Sequence, residues 1–441
     1  MKRPTVALAL AGLTLGAGSL VACGSGTDAG SADTAGPVRL EFWYSASGVP
    51  ADTLTALVDE FNETSSGITV DAIYQGSYDE SMSKLTNAVQ SGDLPALIQG
   101  GDTFSTYLRD TGLTVPPTEV EDTSGRTFDG SDLVPVLANY YTFDGVLSSI
   151  PIMVSQPVVL YNTALLAAAG VDPAEVPASV PELLALASQI HQATGTAGLT
   201  MFTDPWWAEQ FAASEGIEYC TPDNGVGKEP ASAFQYTTEA QVGIWQQVQD
   251  LVDSKAMLNT GTDGTASLTA FASGKAALMV QSSRIYGDAV QAADFEFGAW
   301  PLPIGADDGG AVPGGNSVWI VQEGHGDEVI AAASTFAQFL ASAESQTRIF
   351  EETGYLPTST TAMAALSGTV SDIQAVFLDQ LEATTGSIPS AGCHTGAMGE
   401  ARPLVKSALE EIIGGADPAA ALEKAETGGN TAIAEYDARR G

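Results

Sequence analysis

Positive charge is scarce in this sequence. Its 441 residues include 54 Asp and Glu but only 16 Lys and Arg, which gives a formal net charge of −38. A surface this acidic repels nucleic acid and anionic lipid headgroups, so we expect neither as a binding partner. An acidic surface also serves solubility alone. Either way, few cations remain to bind an anionic ligand.

Histidine and cysteine are also scarce, with three of each. The histidines (His191, His325 and His394) are scattered, and no Cys-x-x-Cys or His-x-x-x-His spacing occurs, so we expect no metal site. The sequence also has no Walker-type loop and no Gly-x-Ser-x-Gly motif. We therefore predict no cofactor.

Long apolar runs are confined to the N-terminus. Lys2 and Arg3 precede the apolar run 6–20, and Leu-Val-Ala-Cys ends at Cys23. This order is typical of a secretory signal with a lipobox, in which the cysteine sulfur receives a diacylglycerol. The alternative is a membrane-spanning helix, but the run is shorter than the ~20 apolar residues that a span needs. Residues 24–36 have the composition of a flexible tether. We expect the mature chain to begin at Cys23, with its lipid in the outer face of the cell membrane.

Two cysteines remain if Cys23 carries the lipid. Cys220 and Cys393 are an even pair in an oxidising compartment, which favours a disulfide between them. Two unrelated buried thiols are the alternative.

The chain after the tether has about 400 residues, which is natural for two lobes. Its start alternates between strand and helix patterns, with strands at 38–44, 68–74 and 95–99 and helices at 51–62 and 79–90. This βαβαβ order predicts a parallel sheet with helices on both faces. Ligands of such sheets bind beyond the carboxyl ends of the strands, which here are the loops 44–48, 75–78 and 100–104.

Later segments continue the α/β pattern, without internal repeats and without another run long enough to span a membrane. The predicted elements are an extended run at 146–161, helices at 180–193, 206–214, 239–253, 267–273, 327–341, 345–352, 373–382 and 401–413, and strands at 299–305 and 317–321.

Short motifs occur in collinear order from Val38 onward. They are Phe42-Trp43, Phe61-Asn62, Gly92–Leu97, Leu160–Asn162, Phe271–Leu278 and Thr353–Pro357. In this order and spacing they resemble the family 1 extracellular solute-binding proteins, lipoproteins that feed carbohydrate-type ABC importers. The resemblance implies the two-lobe fold of periplasmic binding proteins, in which hinge crossings join two mixed sheets flanked by helices. The implied lobes are 38–150 plus 312–356 and 151–311 plus 357–441.

Three segments (Gly76–Glu80, Pro95–Gln99 and Gly314–Trp319) further resemble the family members that bind glycerol-3-phosphate and glycerophosphodiesters. That resemblance implies ligand contacts at Tyr78, Asp102, Ser155, Ser283, Gly315 and Tyr355. The Asp102 carboxylate is suited to accept two hydrogen bonds from glycerol or sugar hydroxyls.

The sequence departs from those members at the arginine that holds phosphate, a position that falls on His394. Arginine offers a permanent charge and two parallel donors, whereas histidine is mostly neutral near pH 7. Loss of that contact costs on the order of 2 to 3 kcal/mol. Arg284 or Arg402 could compensate, but the shortage of cations argues against it. We therefore expect a neutral ligand: a sugar, a small oligosaccharide or a glycoside of glycerol, with the phosphate esters as the alternative.

Trp206 and Trp207 lie near the position of ligand-contacting tryptophans in those members. A tryptophan face packs against a sugar ring or a choline head group. For adjacent tryptophans we expect one to contact ligand and the other to lie in the core.

The resemblance implies a monomeric binding protein and not an enzyme. Its partners are ABC permease subunits with a cytoplasmic ATPase, and ligand bridges the lobes and favours their closure. Tyr78 and Asp102 are expected on the first lobe, Trp206, Ser283 and His394 on the second, and Gly315 and Tyr355 near the crossings. A lipid-anchored glycan-processing enzyme is an alternative, but it needs two carboxylates at the pocket, and only Asp102 is implied there. A surface sensor or adhesin is another alternative.

Overall fold

The computed structural model describes residues 36–440. The predicted signal, the predicted lipidation site Cys23 and nearly all of the predicted tether lie outside the described residues. Pro37–Gly441 forms one compact unit. Among residues 36–440, no helix combines the length and the apolarity needed to cross a membrane.

Within residues 36–440 the strands are β1 (Val38–Tyr44), β2 (Ile68–Tyr74), β3 (Leu97–Gly101), β4 (Thr114–Val115), β5 (Thr142–Phe143), β6 (Val146–Leu147), β7 (Ile150–Ser155), β8 (Pro157–Asn162), β9 (Ala197–Met201), β10 (Cys220–Thr221), β11 (Ala233–Phe234), β12 (Met257–Asn259), β13 (Ala276–Ser282), β14 (Phe297–Pro301) and β15 (Gly314–Val321).

The α-helices of the same residues are α1 (Val49–Thr64), α2 (Tyr78–Ser91), α3 (Ser105–Asp110), α4 (Pro135–Tyr140), α5 (Thr163–Ala169), α6 (Val180–Thr194), α7 (Trp206–Ser214), α8 (Glu239–Asp253), α9 (Gly264–Ala272), α10 (Tyr286–Ala292), α11 (Asp327–Leu340), α12 (Ala343–Thr353), α13 (Thr360–Leu366), α14 (Asp372–Ala383), α15 (Met398–Ile413) and α16 (Pro418–Arg440).

Lobe 1 is built on a mixed six-stranded sheet with the order β2-β1-β3-β15-β4, in which β7 also pairs with β15. β1 is parallel to β2 and β3, which confirms the predicted βαβαβ start, while β15 runs antiparallel to β3. Side chains alternate between the two faces of this sheet. Phe42 packs under Leu54 of α1 and Phe336 of α11 on one face, and Trp43 packs against Met82 of α2 on the other. Helices therefore cover both faces.

Lobe 2 is built on a five-stranded sheet with the order β12-β9-β13-β8-β14. One face packs against α6, α7 and α8 through Leu183, Trp207 and Trp245. The other face packs against α9 and α14 through Phe271 and Phe377. Both lobes are thus sheets enclosed by helices, as predicted.

The chain crosses between the sheets at Gln156, which joins β7 of lobe 1 to β8 of lobe 2; the expected boundary lay at residue 150. A second crossing, 302–313, joins β14 to β15. The buried Gln156 side chain ties the crossings together, because its Nε2 donates to the Ala311 carbonyl at 3.1 Å and to Thr384 Oγ1 at 2.8 Å. Both crossings are therefore fixed to each other and to α14.

Candidate functional site

A cavity of about 370 Å³ lies between the two lobes. Most of its lining comes from one edge of each sheet: the edge of lobe 1 at which β1 and β3 end and β15 begins, and the edge of lobe 2 at which β9 and β13 end. Lobe 1 and the crossings contribute Ser45, Ala46, Ser47, Ser77, Tyr78, Asp102, Ser155, Gly315 and Tyr355, and lobe 2 contributes Phe202, Asp204, Trp206, Gln281, Ser282, Arg284 and Arg402. Open α/β sheets bind ligands beyond the carboxyl ends of their strands, as here. All three predicted loops contribute lining residues.

Tyr78 is held at the start of α2 by a capping box, in which Ser77 Oγ accepts from the Glu80 backbone N–H at 3.2 Å. Its ring lies so close to Gly101 that a Cβ there would come within 2.8 Å of it. The Tyr78 hydroxyl accepts a hydrogen bond from Asn316 Nδ2 at 2.8 Å. Because burial raises the pKa of Tyr78 well above its usual value, the hydroxyl keeps its proton and offers it as a donor.

Arg402 of α15 reaches from lobe 2 to lobe 1. Its Nη2 lies 2.9 Å from Asp102 Oδ2, in the turn after β3, and 2.7 Å from Glu209 Oε2 of α7. Burial alone would lower the pKa of Arg402, but the carboxylates of Asp102, Glu209 and Asp204 raise it well above its usual value. A permanently charged guanidinium therefore joins the two lobes beside the cavity.

Three acidic side chains surround that guanidinium. Burial raises the pKa of Glu209 and of Asp204, although Arg402 opposes both shifts. Asp204 Oδ1 accepts from the backbone N–H of Trp206 at 2.9 Å. The surroundings of Arg402 are therefore rich in hydrogen-bond acceptors.

A second contact fixes the Glu209 carboxylate. Its Oε1 accepts from the backbone N–H of Cys393 at 3.3 Å. Cys393 is joined by a disulfide to Cys220, with their Cα atoms 5.6 Å apart. The disulfide thus fixes the segment before α15 to β10, and this attachment lies next to the Glu209 carboxylate.

The two tryptophans have different roles. Trp206 lines the cavity and packs on Gly314, where a Cβ would come within 2.8 Å of its ring. Trp207 is fully buried in the lobe 2 core, and its Nε1 donates to the Phe202 carbonyl at 2.8 Å. The structure thus brings one of the pair to the cavity.

Gly315 belongs to the cavity through its backbone. Its φ of +101° is a conformation that side chains disfavour, and a Cβ there would overlap the Met153 carbonyl oxygen. Ser155 and Tyr355 line the cavity beside it.

Two predicted residues lie elsewhere. Ser283 is fully buried and holds the first crossing, because its backbone N–H donates to the Gln156 carbonyl at 2.9 Å. His394 lines a separate cavity of about 280 Å³. Its ring packs against Tyr140 and Phe143, with ring centres 5.1 and 5.2 Å away. Neither Ser283 nor His394 therefore lines the interlobe cavity, and the arginine that contacts Asp102 there is Arg402.

Unpaired buried donors adjoin the cavity. Among the described residues, Trp206 Nε1, Gln281 Nε2 and Arg402 Nε are buried without a hydrogen-bond partner, and all three residues line the cavity. An unpaired buried donor costs on the order of 1 to 3 kcal/mol.

The model of the family of bacterial extracellular solute-binding proteins matches residues 56–376. The chain belongs to this family. It is 30% identical over 414 residues to the sn-glycerol-3-phosphate-binding periplasmic protein UgpB of Rhizobium meliloti (strain 1021). The aligned residues cover 90% of this chain and 94% of the relative. UgpB of Brucella melitensis is 29% identical over 411 residues, covering 90% and 93%.

Solved structures show the same fold. The GacH receptor of Streptomyces glaucescens, studied unliganded and with acarbose, superposes with a TM-score of 0.76 at 23% identity and covers 91% of this chain and 99% of its own. UgpB of Mycobacterium tuberculosis, in complex with glycerophosphocholine, superposes with a TM-score of 0.71 at 21% identity, with 91% and 99% covered. The family match confirms the role of an extracellular solute-binding protein, and the solved structures confirm the predicted two-lobe α/β fold.

Sequence reasoning missed several lining residues of this solute-binding protein. Phe202 and Asp204 follow β9, a strand that the sequence analysis did not predict, and Gln281 and Ser282 end β13. Strand ends on the same edge were the available signal. Arg402, which the sequence analysis named only as a possible substitute for the phosphate-binding arginine, comes from helix α15, and no comparable rule predicts where a helix side chain points.

Proposed function

We propose that this protein captures a polyhydroxylated small molecule, a neutral sugar or small oligosaccharide, between its lobes and delivers it to the permease subunits of an ABC importer. A cytoplasmic ATPase supplies the energy. The observation that carries this proposal is the cavity lined from both lobes, in which Asp102 and Arg402 meet. A solute bound there contacts both lobes, so its binding free energy favours the closed arrangement.

The lining chemistry is suited to a polyol. Asp102 and Asp204 accept hydrogen bonds from hydroxyl groups, and the Tyr78 hydroxyl donates one. The Trp206 ring provides an apolar face for the C–H side of a sugar. Gly315 lets the backbone approach the solute. We assign ligand contacts to Tyr78, Asp102, Ser155, Asp204, Trp206, Gly315, Tyr355 and Arg402.

A second candidate ligand is glycerol-3-phosphate or a glycerophosphodiester. The position of His394 was the reason to disfavour phosphate, but the cavity is lined by two arginines, Arg284 and Arg402. The names of the similar UgpB proteins state glycerol-3-phosphate binding for those proteins. Both ligand classes share a polyol that Asp102 is suited to bind.

We further propose that diacylglycerol on Cys23 anchors the protein to the outer face of the cell membrane as a monomer, because a signal-like run, a cysteine and a tether follow one another there. Cys23→Ala in the full-length chain is expected to release it from the membrane fraction. Retention at the wild-type level would contradict the anchor.

A thermal-unfolding panel tests the solute-binding proposal. The protein starting at Pro37 is mixed with trehalose, maltose, glycerol-3-phosphate and glycerophosphocholine. A ligand at ~100 times its Kd adds ~2.7 kcal/mol of stability, a shift of several degrees in Tm. We expect at least one compound to stabilise the protein and to be recovered chemically unchanged. Slow conversion of a stabilising glycan would favour the enzyme alternative, and no stabilisation by this panel or a wider set of polyols would contradict solute binding.

A further inference from the structure

The two arginines of the cavity have unequal surroundings. Of the eight arginines in residues 36–440, seven form ion pairs with Asp or Glu, among them Arg402, which has two. Arg284 is the exception: within those residues its guanidinium has neither an ion pair nor a hydrogen bond. In a chain with 54 acidic residues, Arg284 thus differs from the other seven arginines in having no acidic partner, and it lies beside a cavity.

Arg284 is placed by the end of β13. It lies in the 3₁₀ turn Ser283–Ile285, where Ser282 Oγ accepts from its backbone N–H at 3.4 Å. Its side chain lines the cavity together with Tyr78 and Tyr355. The positive charge of Arg284 opposes the rise that burial causes in the pKa of both tyrosines, as expected of a nearby cation.

The surroundings of the two arginines therefore differ. Arg402 contacts Asp102 and Glu209, and Asp204 also raises its pKa, so its charge is already balanced by acidic groups. Arg284 has no acidic partner among the described residues, so its charge is available to a ligand. A fork of five N–H donors matches the oxygens of a phosphate or carboxylate group.

We propose that Arg284 is a specificity-determining residue that selects ligands carrying a single anionic group. The polyol part of such a ligand lies toward Asp102 and Trp206, and the anion lies on Arg284. One unpaired cation balances one negative charge, so a singly charged ester is preferred over a neutral glycoside of the same polyol. This inference rests on the proposed solute-binding function, and of the two candidate ligand classes given there it favours the phosphate esters over the neutral sugars.

The test compares two probes that share glycerol and differ in charge: glycerophosphoglycerol, a singly charged phosphodiester, and glucosylglycerol, a neutral glycoside. Titration calorimetry of the Pro37–Gly441 protein measures both Kd values for wild type, Arg284→Gln and Arg284→Lys. Arg39→Gln is the matched control, because Arg39 lies at the amino end of β1 with an exposed side chain. Tm without ligand shows that each variant folds.

We expect wild type to bind the phosphodiester more tightly than the glycoside. Arg284→Gln is expected to weaken phosphodiester binding about 10- to 100-fold, the range for loss of a charge-assisted contact, and to change glycoside binding less than about threefold. Arg284→Lys keeps the charge and is expected to retain part of the preference. Arg39→Gln should change neither Kd.

Three results would overturn the inference. They are wild-type preference for the glycoside, unchanged phosphodiester affinity in a folded Arg284→Gln protein, and binding of neither probe. Preference for the glycoside would leave the proposed solute-binding function intact, because a neutral polyol would still be captured. Binding of neither probe, together with no stabilisation in the thermal panel, would count against both.

Discussion

Arg402 occupies a position in which its charge affects both lobes. Its Nη2 contacts Asp102 and Glu209, whose side chains are 10% and 4% exposed. Removing water from these charges is costly, and their mutual contacts compensate for that cost only while all three are present. Replacing any one of Arg402, Asp102 and Glu209 is thus expected to lower the stability of the protein.

Arg402→Met is expected to destabilise the protein by about 3 kcal/mol, because it leaves Glu209 buried without its cation. The double variant Arg402→Met with Glu209→Gln removes the unpaired charge and is expected to recover most of that loss. Urea unfolding of both variants measures the two free energies. A single variant as stable as wild type would show that Glu209 does not depend on Arg402.

His394 is expected to make folding sensitive to acid. Burial lowers the pKa of His394 to about 4, and its Nε2 lies 3.0 Å from the Ala391 carbonyl. The unfolded chain takes up a proton near pH 6.5 and the folded chain only near pH 4, so the free energy of unfolding falls as pH drops through this window. His394→Gln is expected to reduce that fall by on the order of 1 to 3 kcal/mol.

Urea unfolding of wild type and His394→Gln at pH 7, 5.5 and 4 measures this difference, since the carboxylates are common to both proteins. Parallel pH profiles would contradict the lowered pKa. Ligand affinity at pH 7 should be equal in both, because His394 lines a different cavity.

At the scale of single residues, the sequence identified side chains at strand ends better than those on helices. The sheet pattern predicted the loops that contain Tyr78 and Asp102, and the family resemblance implied these two residues as ligand contacts; the structure brings both to the cavity. The direction in which Arg402 points from α15 depends on how that helix packs, which local pattern does not reveal. His394 lies eight positions before Arg402, in the segment that precedes α15. The two side chains line different cavities.

At the scale of elements, strong local patterns in the sequence were sufficient to predict the bounds of several helices and strands. The bounds of β1, β2, α7 and α8 agree with the sequence-based prediction. The long helix α16 was missed, because Gly428 and Gly429 in its middle are typical of a turn. The structure shows why glycine occurs there: a Cβ at Gly429 would lie 2.7 Å from the Phe234 ring. Close packing with β11 outweighs the low helix propensity.

Gly429→Ala is expected to lower the stability by about 1 to 3 kcal/mol, because the added methyl group overpacks the contact with Phe234. Gly243→Ala in α8 is the matched control. Among the described residues, a Cβ at Gly243 would meet no neighbouring atom within 4 Å, so the higher helix propensity of alanine is expected to add about 0.5 to 1 kcal/mol. Thermal unfolding compares the two. A stabilising Gly429→Ala would show that α16 does not pack as described.

At the scale of the whole molecule, two sheets meet at one cavity, and the chain passes between them through crossings held by Gln156 and Ser283. The number of lobes followed from the chain length and the family resemblance, but the order of strands within each sheet did not. Pairing of β15 with β3, β4 and β7 joins segments that are far apart in sequence. Pairs of this kind depend on the global fold and not on local periodicity.

Bridging of the two lobes by the solute is central to the proposed function. The most direct test is the distance between spin labels on cysteines placed at Asn87 of α2 and Thr265 of α9, both at the surface. Labelling is specific in the protein starting at Pro37, because Cys220 and Cys393 are in a disulfide. We predict that a solute that raises Tm narrows and shortens the distance distribution in wild type, and does so less in Asp102→Asn at equal concentration. A stabilising solute that leaves the distribution unchanged would contradict binding between the lobes.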